Sequence, residues 1–266
     1  GDIAITGHIT LSFILLFTAI AALGFAGLEA PVRKGGNVEP EQIEDRLPAL
    51  VEALARRNLE ITVMTSDVND PSDPMTERVL RTAAGLGIQR YRMKYLRYDP
   101  HKPTREQLTE WRAQFADLAA MNRELGICGL YQNHAGNGMF GAAIWDLADV
   151  LETIPPEEIA VAYDIRHATV EGGMSWPTTW RIIRPQVGVV YVKDFRWDGD
   201  KPVNVPLGEG RVSKSFFAML AESGFDGPIS LHEEYLREYR RELVPDHLAA
   251  IERDFGTLRR WLNESS

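Results

Sequence analysis

The chemistry-bearing residues of this chain gather at the ends of four apolar runs. Tyr131-Gln132-Asn133-His134 closes one and Tyr163-Asp164-Ile165-Arg166-His167 the next. Tyr191-Val192-Lys193-Asp194 and Ser230-Leu231-His232-Glu233-Glu234 close the other two. Each run turns polar at its C-terminal edge, as expected where unpaired polar groups would be costly to bury. A carboxylate embedded behind residues 159–163 must be neutralised, hydrogen-bonded or metal-bound, which singles out Asp164. Lys193 shares a strand face with Tyr191, because side chains alternate. A lysine at such an edge can polarise a carbonyl or stabilise an enolate; its other use is to pair with a rim carboxylate. His232 and Glu234 share a face, which turns Glu233 the opposite way. Of six histidines, His134, His167 and His232 lie at these edges and His8 lies late in an earlier run. His101 and His247 fall at loop or helix starts and are expected to be solvated.

The elements that must position these residues follow from period and breakers. Strands are expected over 4–10, 27–30, 59–68, 88–98, 127–134, 159–168, 187–195 and 227–235. Helices are expected over 14–23, 40–58, 74–84, 104–125, 142–153, 176–184, 213–223 and 247–263. Several helix-like stretches end in glycine before a β-rich run, as in Leu125-Gly126-Ile127 and Ser223-Gly224-Phe225. A glycine there releases the chain from a helix in the left-handed conformation. Strict alternation implies parallel strands and right-handed crossovers. Eight units in 266 residues match a closed (β/α)8 barrel as a single domain over residues 1–266. In such a barrel the four polar edges meet at one mouth. An open doubly wound sheet is the runner-up, but no Gly-x-Gly-x-x-Gly follows the first strand.

Composition narrows the function. With one cysteine, Cys128, the chain forms no intramolecular disulfide framework and no cysteine-rich metal site. The net charge of -9 argues against general affinity for a phosphate backbone, hence no nucleic-acid partner. No Lys, Arg, Asp or Glu occurs from Ile3 to Leu28. That run reads as a buried strand–helix–strand and the protein as cytoplasmic with no membrane partner; the other reading is an export signal or membrane attachment. The turn Pro206-Leu207-Gly208-Glu209-Gly210-Arg211 offers amides that could hold an anion or form an ordinary tight turn. Glu29, Lys94 and Arg97 are further rim candidates. Trp176, Trp180 and Trp197 read as pocket wall or packing.

Gln132-Asn133-His134, Asp164-x-x-His167-Ala168, Val192-Lys193-Asp194, the Pro206–Gly210 turn and Gly227-Pro228-Ile229-Ser230 together resemble the xylose isomerase-like TIM barrels, the sugar phosphate isomerase/epimerase group. The resemblance implies a mouth that moves a proton next to the carbonyl of a small sugar or sugar phosphate, and a possible homo-oligomer. It also implies one divalent metal (Mn, Mg or Zn) with Asp164, His232 and Gln132 as ligands. The family's Glu, Asp, His and Glu align with Gln132, Asp164, Tyr191 and His232, so only Asp164 is retained. Lys193, His167 and Glu234 are then expected to be catalytic. His134, Asn133, Asp194 and His8 are expected to bind substrate. The alternative is a non-catalytic or repurposed sugar-binding barrel with a degenerate metal site. A metal-dependent abasic-site nuclease is disfavoured by the acidic balance.

Overall fold

Parallel pairing around a complete circuit fixes this architecture. The computed structural model describes residues 3–6, 13–238 and 240–265. Its barrel strands are β1 (Ile3–Thr6), β2 (Gly27–Val32), β3 (Glu60–Ser66), β4 (Arg90–Arg92), β5 (Cys128–Gln132), β6 (Ile159–Asp164), β7 (Val187–Val192) and β10 (Ile229–His232). Each pairs in parallel with its neighbour, and β1 closes the circuit between β10 and β2. The apolar N-terminal run is therefore a barrel strand followed by α1 (Phe13–Leu23). Among the described residues no helix is long and apolar enough to cross a membrane.

Alternation along the strands divides the core into two layers. On β6, Ile159, Val161 and Tyr163 pack outward against helices, whereas Ala160 and Ala162 belong to the inner cluster. On β7 the inner residues are Val189 and Tyr191. Leu130 of β5 and Val63 of β3 complete that plug. The same parity carries Gln132, Asp164 and Lys193 onto the inner face, one step above the plug. The outer layer includes Tyr163, Trp180 and Phe216, all essentially inaccessible, with ring centroids 5.0 to 5.6 Å apart. Such side chains each contribute roughly 1.5–3 kcal/mol by burial. The rigid outer layer fixes the height at which the inner polar residues emerge.

The intervening helices are α2 (Ile43–Ala55), α3 (Pro74–Gly85), α4 (Thr104–Leu125), α5 (Trp145–Leu151), α6 (Ile165–Gly172), α7 (Trp176–Ile183), α8 (Ser215–Glu222) and α9 (Val244–Ser265). α4 ends where expected, at Gly126 with φ +69°. Three expectations need correction. The sixth strand was expected to run to Ala168, but it stops at Asp164, whose carboxylate caps α6 by accepting the His167 backbone N–H at 3.1 Å. The seventh was expected to end at Phe195. It ends at Val192 and leads into an antiparallel hairpin, β8 (Asp194–Asp198) and β9 (Lys201–Val205). The strand expected over 88–98 is also short, which leaves Lys94 and Arg97 exposed beyond it.

Candidate active site

At the mouth, carboxylates and cations alternate in one bonded chain. Glu29 of β2 is buried beneath it and accepts the Tyr191 hydroxyl at 3.2 Å and the Ser230 hydroxyl at 2.7 Å. His232 lies 3.4 Å from Glu29 through Nε2 and 3.3 Å from Glu234 through Nδ1. Burial alone would discourage its charge, but these two carboxylates outweigh burial and raise its pKa. His232 is thus an imidazolium donating in both directions. The effect on Glu29 is reciprocal: burial opposes ionisation, yet His232, Ser230 and the Arg92 charge hold its pKa below the usual value. Glu234 is half-buried, and its pKa falls far below the carboxylate range because Lys193 and His232 hold its charge.

Lys193 is the hinge of the chain. Its Nζ donates to Glu234 at 3.0 and 3.1 Å and lies 3.3 Å from Asp164 Oδ2. Burial would strip its proton, but these carboxylates outweigh burial and raise its pKa. Gln132 Nε2 donates to the same Asp164 oxygen at 2.9 Å. Gln132 Oε1 in turn accepts from Arg92 at 2.8 Å and from Tyr95. Because Arg92 can only donate, the amide orientation is set by its partners.

Two histidines stack beside this chain, their ring centroids 3.9 Å apart. His134 directs Nδ1 at the Ala135 carbonyl, 2.8 Å away, so Nδ1 carries the hydrogen and Nε2 the lone pair. Burial, and then the Lys193 charge, lower its pKa, leaving it neutral at physiological pH. His167 accepts the Arg166 guanidinium on Nδ1 at 3.0 Å, which puts its hydrogen on Nε2. That buried Nε2 has no hydrogen-bond partner and lies 3.6 Å from Asp164. Burial pushes His167 well below its ordinary pKa, with Lys193 and His134 adding to the effect.

A cavity of about 230 Å³ opens above these groups. That is roughly the space of seven or eight waters, enough for a small sugar. Glu29, Arg92, His134, Lys193, His232 and Glu234 line it, as do Arg33 and Tyr95. The structure therefore gathers most of the residues singled out from sequence. His8 lies outside the described residues.

The sequence reading of Asp194 and Asn133 as substrate ligands is corrected. The Asp194 carboxylate accepts four backbone N–H groups: Phe195 and Val212 on one oxygen, Gly208 and Gly210 on the other. The amides considered for an external anion are thus filled by the chain's own carboxylate. Gly210 is required there, since a Cβ would lie 2.3 Å from both Asp194 Oδ1 and the Phe195 carbonyl. Asn133 is fully engaged with the Asp164 backbone, at 2.8 and 3.1 Å, and so positions that residue. His247, expected to be solvated, is buried against Glu233. Trp176 and Trp180 are packing residues, while Trp197 stands exposed on the hairpin.

Asp164, His232 and Gln132 do not fit a divalent cation, contrary to the ligand set the resemblance implied. Gln132 turns its NH2 toward Asp164, Lys193 places an ammonium on the same oxygen, and both His232 nitrogens face carboxylates. Among the described residues no three His, Cys, Asp or Glu side chains converge as a metal would require.

Sequence reading missed Arg92, Arg33, Tyr95 and Asn204, and gave Glu29 little weight. Arg92 ends a three-residue strand and Tyr95 follows it in the loop, too short a strand for alternation to reveal an inner face. Asn204 arrives from the hairpin and spans Arg166 (3.0 Å) and Glu234 (3.4 Å).

This closed eight-stranded barrel with its polar mouth at the strand C-termini defines a (β/α)8 enzyme-type scaffold. The chain belongs to the xylose isomerase-like TIM barrel family, whose pattern matches residues 17–261. It is similar in structure to a putative xylose isomerase from Rhodospirillum rubrum, with a TM-score of 0.75, 15% identity, and coverage of 100% of this chain and 99% of that one. It is also similar to D-psicose 3-epimerase from Clostridium cellulolyticum H10, solved with D-tagatose: TM-score 0.74, 11% identity, 98% and 99% covered. The probable 3-DHS dehydratase from Bacillus anthracis gives a TM-score of 0.72 at 14% identity, with 97% and 99% covered. At these identities the likeness establishes the shared barrel. No curated protein matches the sequence.

Proposed function

We propose that this protein binds a small polyhydroxylated carbonyl compound at the barrel mouth and shifts a proton beside its carbonyl, with Lys193 in place of a divalent ion. The observation that carries this reading is the buried Lys193 ammonium, seated between Asp164 and Glu234 on the wall of a cavity that His134 also lines. Membership of a family whose structural relatives include sugar epimerases and isomerases supports the substrate class.

Lys193 donates to the substrate carbonyl oxygen, and its charge offsets the negative charge that develops there. His134 Nε2 takes the proton from the neighbouring carbon. The C–H electrons form an enediolate whose oxyanion stays on Lys193. Lys193 gives a proton to that oxyanion and takes one from the hydroxyl on the neighbouring carbon, while protonated His134 returns its proton to the former carbonyl carbon. The neighbouring carbon becomes the new carbonyl, giving isomerisation on one face of the intermediate. His167 stands behind these groups, its ring against that of His134 and its buried Nε2 3.6 Å from Asp164. Glu234, read from sequence as catalytic, holds Lys193 charged; its strongly stabilised carboxylate is a poor base.

That same stabilisation favours one other reading, a sugar-binding barrel without turnover. Incubating chelator-treated protein with a ketose and aldose panel separates the two. The catalytic reading expects isomer formation that falls roughly 10²–10³-fold in Lys193→Met. Saturable sugar binding without product would support the binding barrel and overturn the catalytic reading.

A further inference from the structure

His134 needs more than its own hydrogen bond to keep a lone pair aimed. That bond runs from Nδ1 to the carbonyl of the next residue, Ala135, and a ring tied at one atom can still swing. Two neighbouring rings take up the freedom. His167 lies against the ring with centroids 3.9 Å apart, and Tyr95 meets it at 62° with centroids 5.2 Å apart. Tyr95 also lines the cavity. The segment that carries it is pinned by backbone amides. Met93 N–H donates to the Leu130 carbonyl at 2.9 Å, Lys94 N–H to the Val68 carbonyl at 2.8 Å and Leu96 N–H to the Tyr131 hydroxyl at 2.8 Å. The Tyr95 hydroxyl accepts from Arg92 and donates to Gln132 Oε1 at 2.5 Å. Gln132 in turn donates to the Asp164 oxygen that faces Lys193. A run of contacts thus joins Lys193 to His134 by way of Asp164, Gln132 and Tyr95.

We propose that Tyr95 is a positioning residue, whose ring fixes the angle of His134 and whose hydroxyl ties that ring to the Gln132–Asp164–Lys193 chain. The assignment rests on the reading of His134 as the base and Lys193 as the donor to the carbonyl. Taking a proton from carbon requires the reacting atoms at about 3–3.5 Å, and a misplacement of about 1 Å can cost roughly 10²-fold. Tyr95 acts through its neighbours, since its one hydroxyl hydrogen is already given to Gln132. Ring and hydroxyl are separable: Tyr95→Phe keeps the wall beside His134, whereas Tyr95→Leu removes both. In the first variant Arg92 still holds Gln132, which limits the damage.

The test follows product formation and solvent deuterium uptake by the full, chelator-treated chain with D-fructose, D-glucose and D-xylose. Both Tyr95 variants are compared in the unaltered background and in protein that carries His134→Gln. Tyr95→Phe is expected to lower kcat about tenfold and Tyr95→Leu about 10²-fold, with KM within about threefold. In the His134→Gln background Tyr95→Leu is expected to cost less than about twofold in residual exchange, because the residue it positions is gone. A merely structural loss would be the same in both backgrounds. Equal losses in the two, or full activity in Tyr95→Leu, would overturn the assignment and leave the proton-transfer reading intact. If Tyr95→Leu fails to fold, Tyr95→Phe in the same two backgrounds gives the same comparison. No turnover of the three sugars by the unaltered protein would sink both this inference and the reading beneath it.

Discussion

Lys193 and His134 respond to burial at the mouth in opposite ways. The carboxylates of Asp164 and Glu234 outweigh the burial of Lys193 and raise its pKa, so it stays an ammonium. Burial of His134 is not so compensated, and its pKa falls below 6.5. Activity that needs a neutral His134 and a charged Lys193 rises as pH climbs through the lowered imidazole pKa. It declines only above the ordinary lysine value of 10.5. The pH profile of kcat/KM is expected to show an acid limb below pH 6.5 and no alkaline limb from lysine below 10.5. A limb between those values would contradict the assignment. His134→Gln is expected to remove the acid limb and lower kcat about 10²–10⁴-fold. Asp194 answers to a different measurement, because it holds four backbone amides rather than substrate. Asp194→Ala is expected to cost about 3 kcal/mol or more in urea unfolding, since those buried donors lose their acceptor.

Among the elements, the β8–β9 hairpin and α9 each lock one strand end. The hairpin reaches over the mouth through Asn204 and accepts Arg166 on the Pro202 carbonyl at 3.1 Å. Asn204→Ala is expected to cost about 1 kcal/mol of stability and to lower kcat/KM severalfold as Glu234 loses a restraint. α9 secures the end of β10 through His247, which meets Glu233 with one nitrogen and the Glu238 carbonyl, 3.0 Å away, with the other. Burial disfavours the imidazolium, but these two acceptors outweigh it and raise the pKa of His247. A raised histidine pKa adds stability that is complete below the unfolded value near 6.5 and is lost as pH rises through the folded value. Urea midpoints of the unaltered protein are therefore expected to fall between pH 6 and pH 9. His247→Gln is expected to flatten that dependence; an unchanged slope would count against the pair.

The barrel as a whole was legible because apolar strand runs alternate with helical stretches eight times, several of those helices ending in glycine. The polar strand edges were legible for the same reason: Gln132, Asp164, Lys193 and His232 each follow an inner-face parity written in their own strand. What escaped was set by distant partners. His247 looked solvated because Glu233 lies fourteen residues away, across a turn. Residues after Asp164 have strand-like composition, yet the Asp164 carboxylate ends the strand by capping α6. The hairpin follows the seventh barrel strand after a gap of one residue, Lys193, so the two read as one run. Metal-ligand chemistry suggested by the family pattern was displaced by contacts that only the folded mouth displays, chiefly Lys193 against Asp164.

The claim that unites these scales is that the positive charge serving the reaction belongs to the chain. Its most direct test is the rate at which the turned-over sugar takes up solvent deuterium, followed by proton NMR. Chelator-treated protein and protein supplied with Mn²⁺ are expected to exchange at the same rate, and Lys193→Met is expected to lose exchange under both conditions. Exchange that appears only after Mn²⁺ is added would contradict the account.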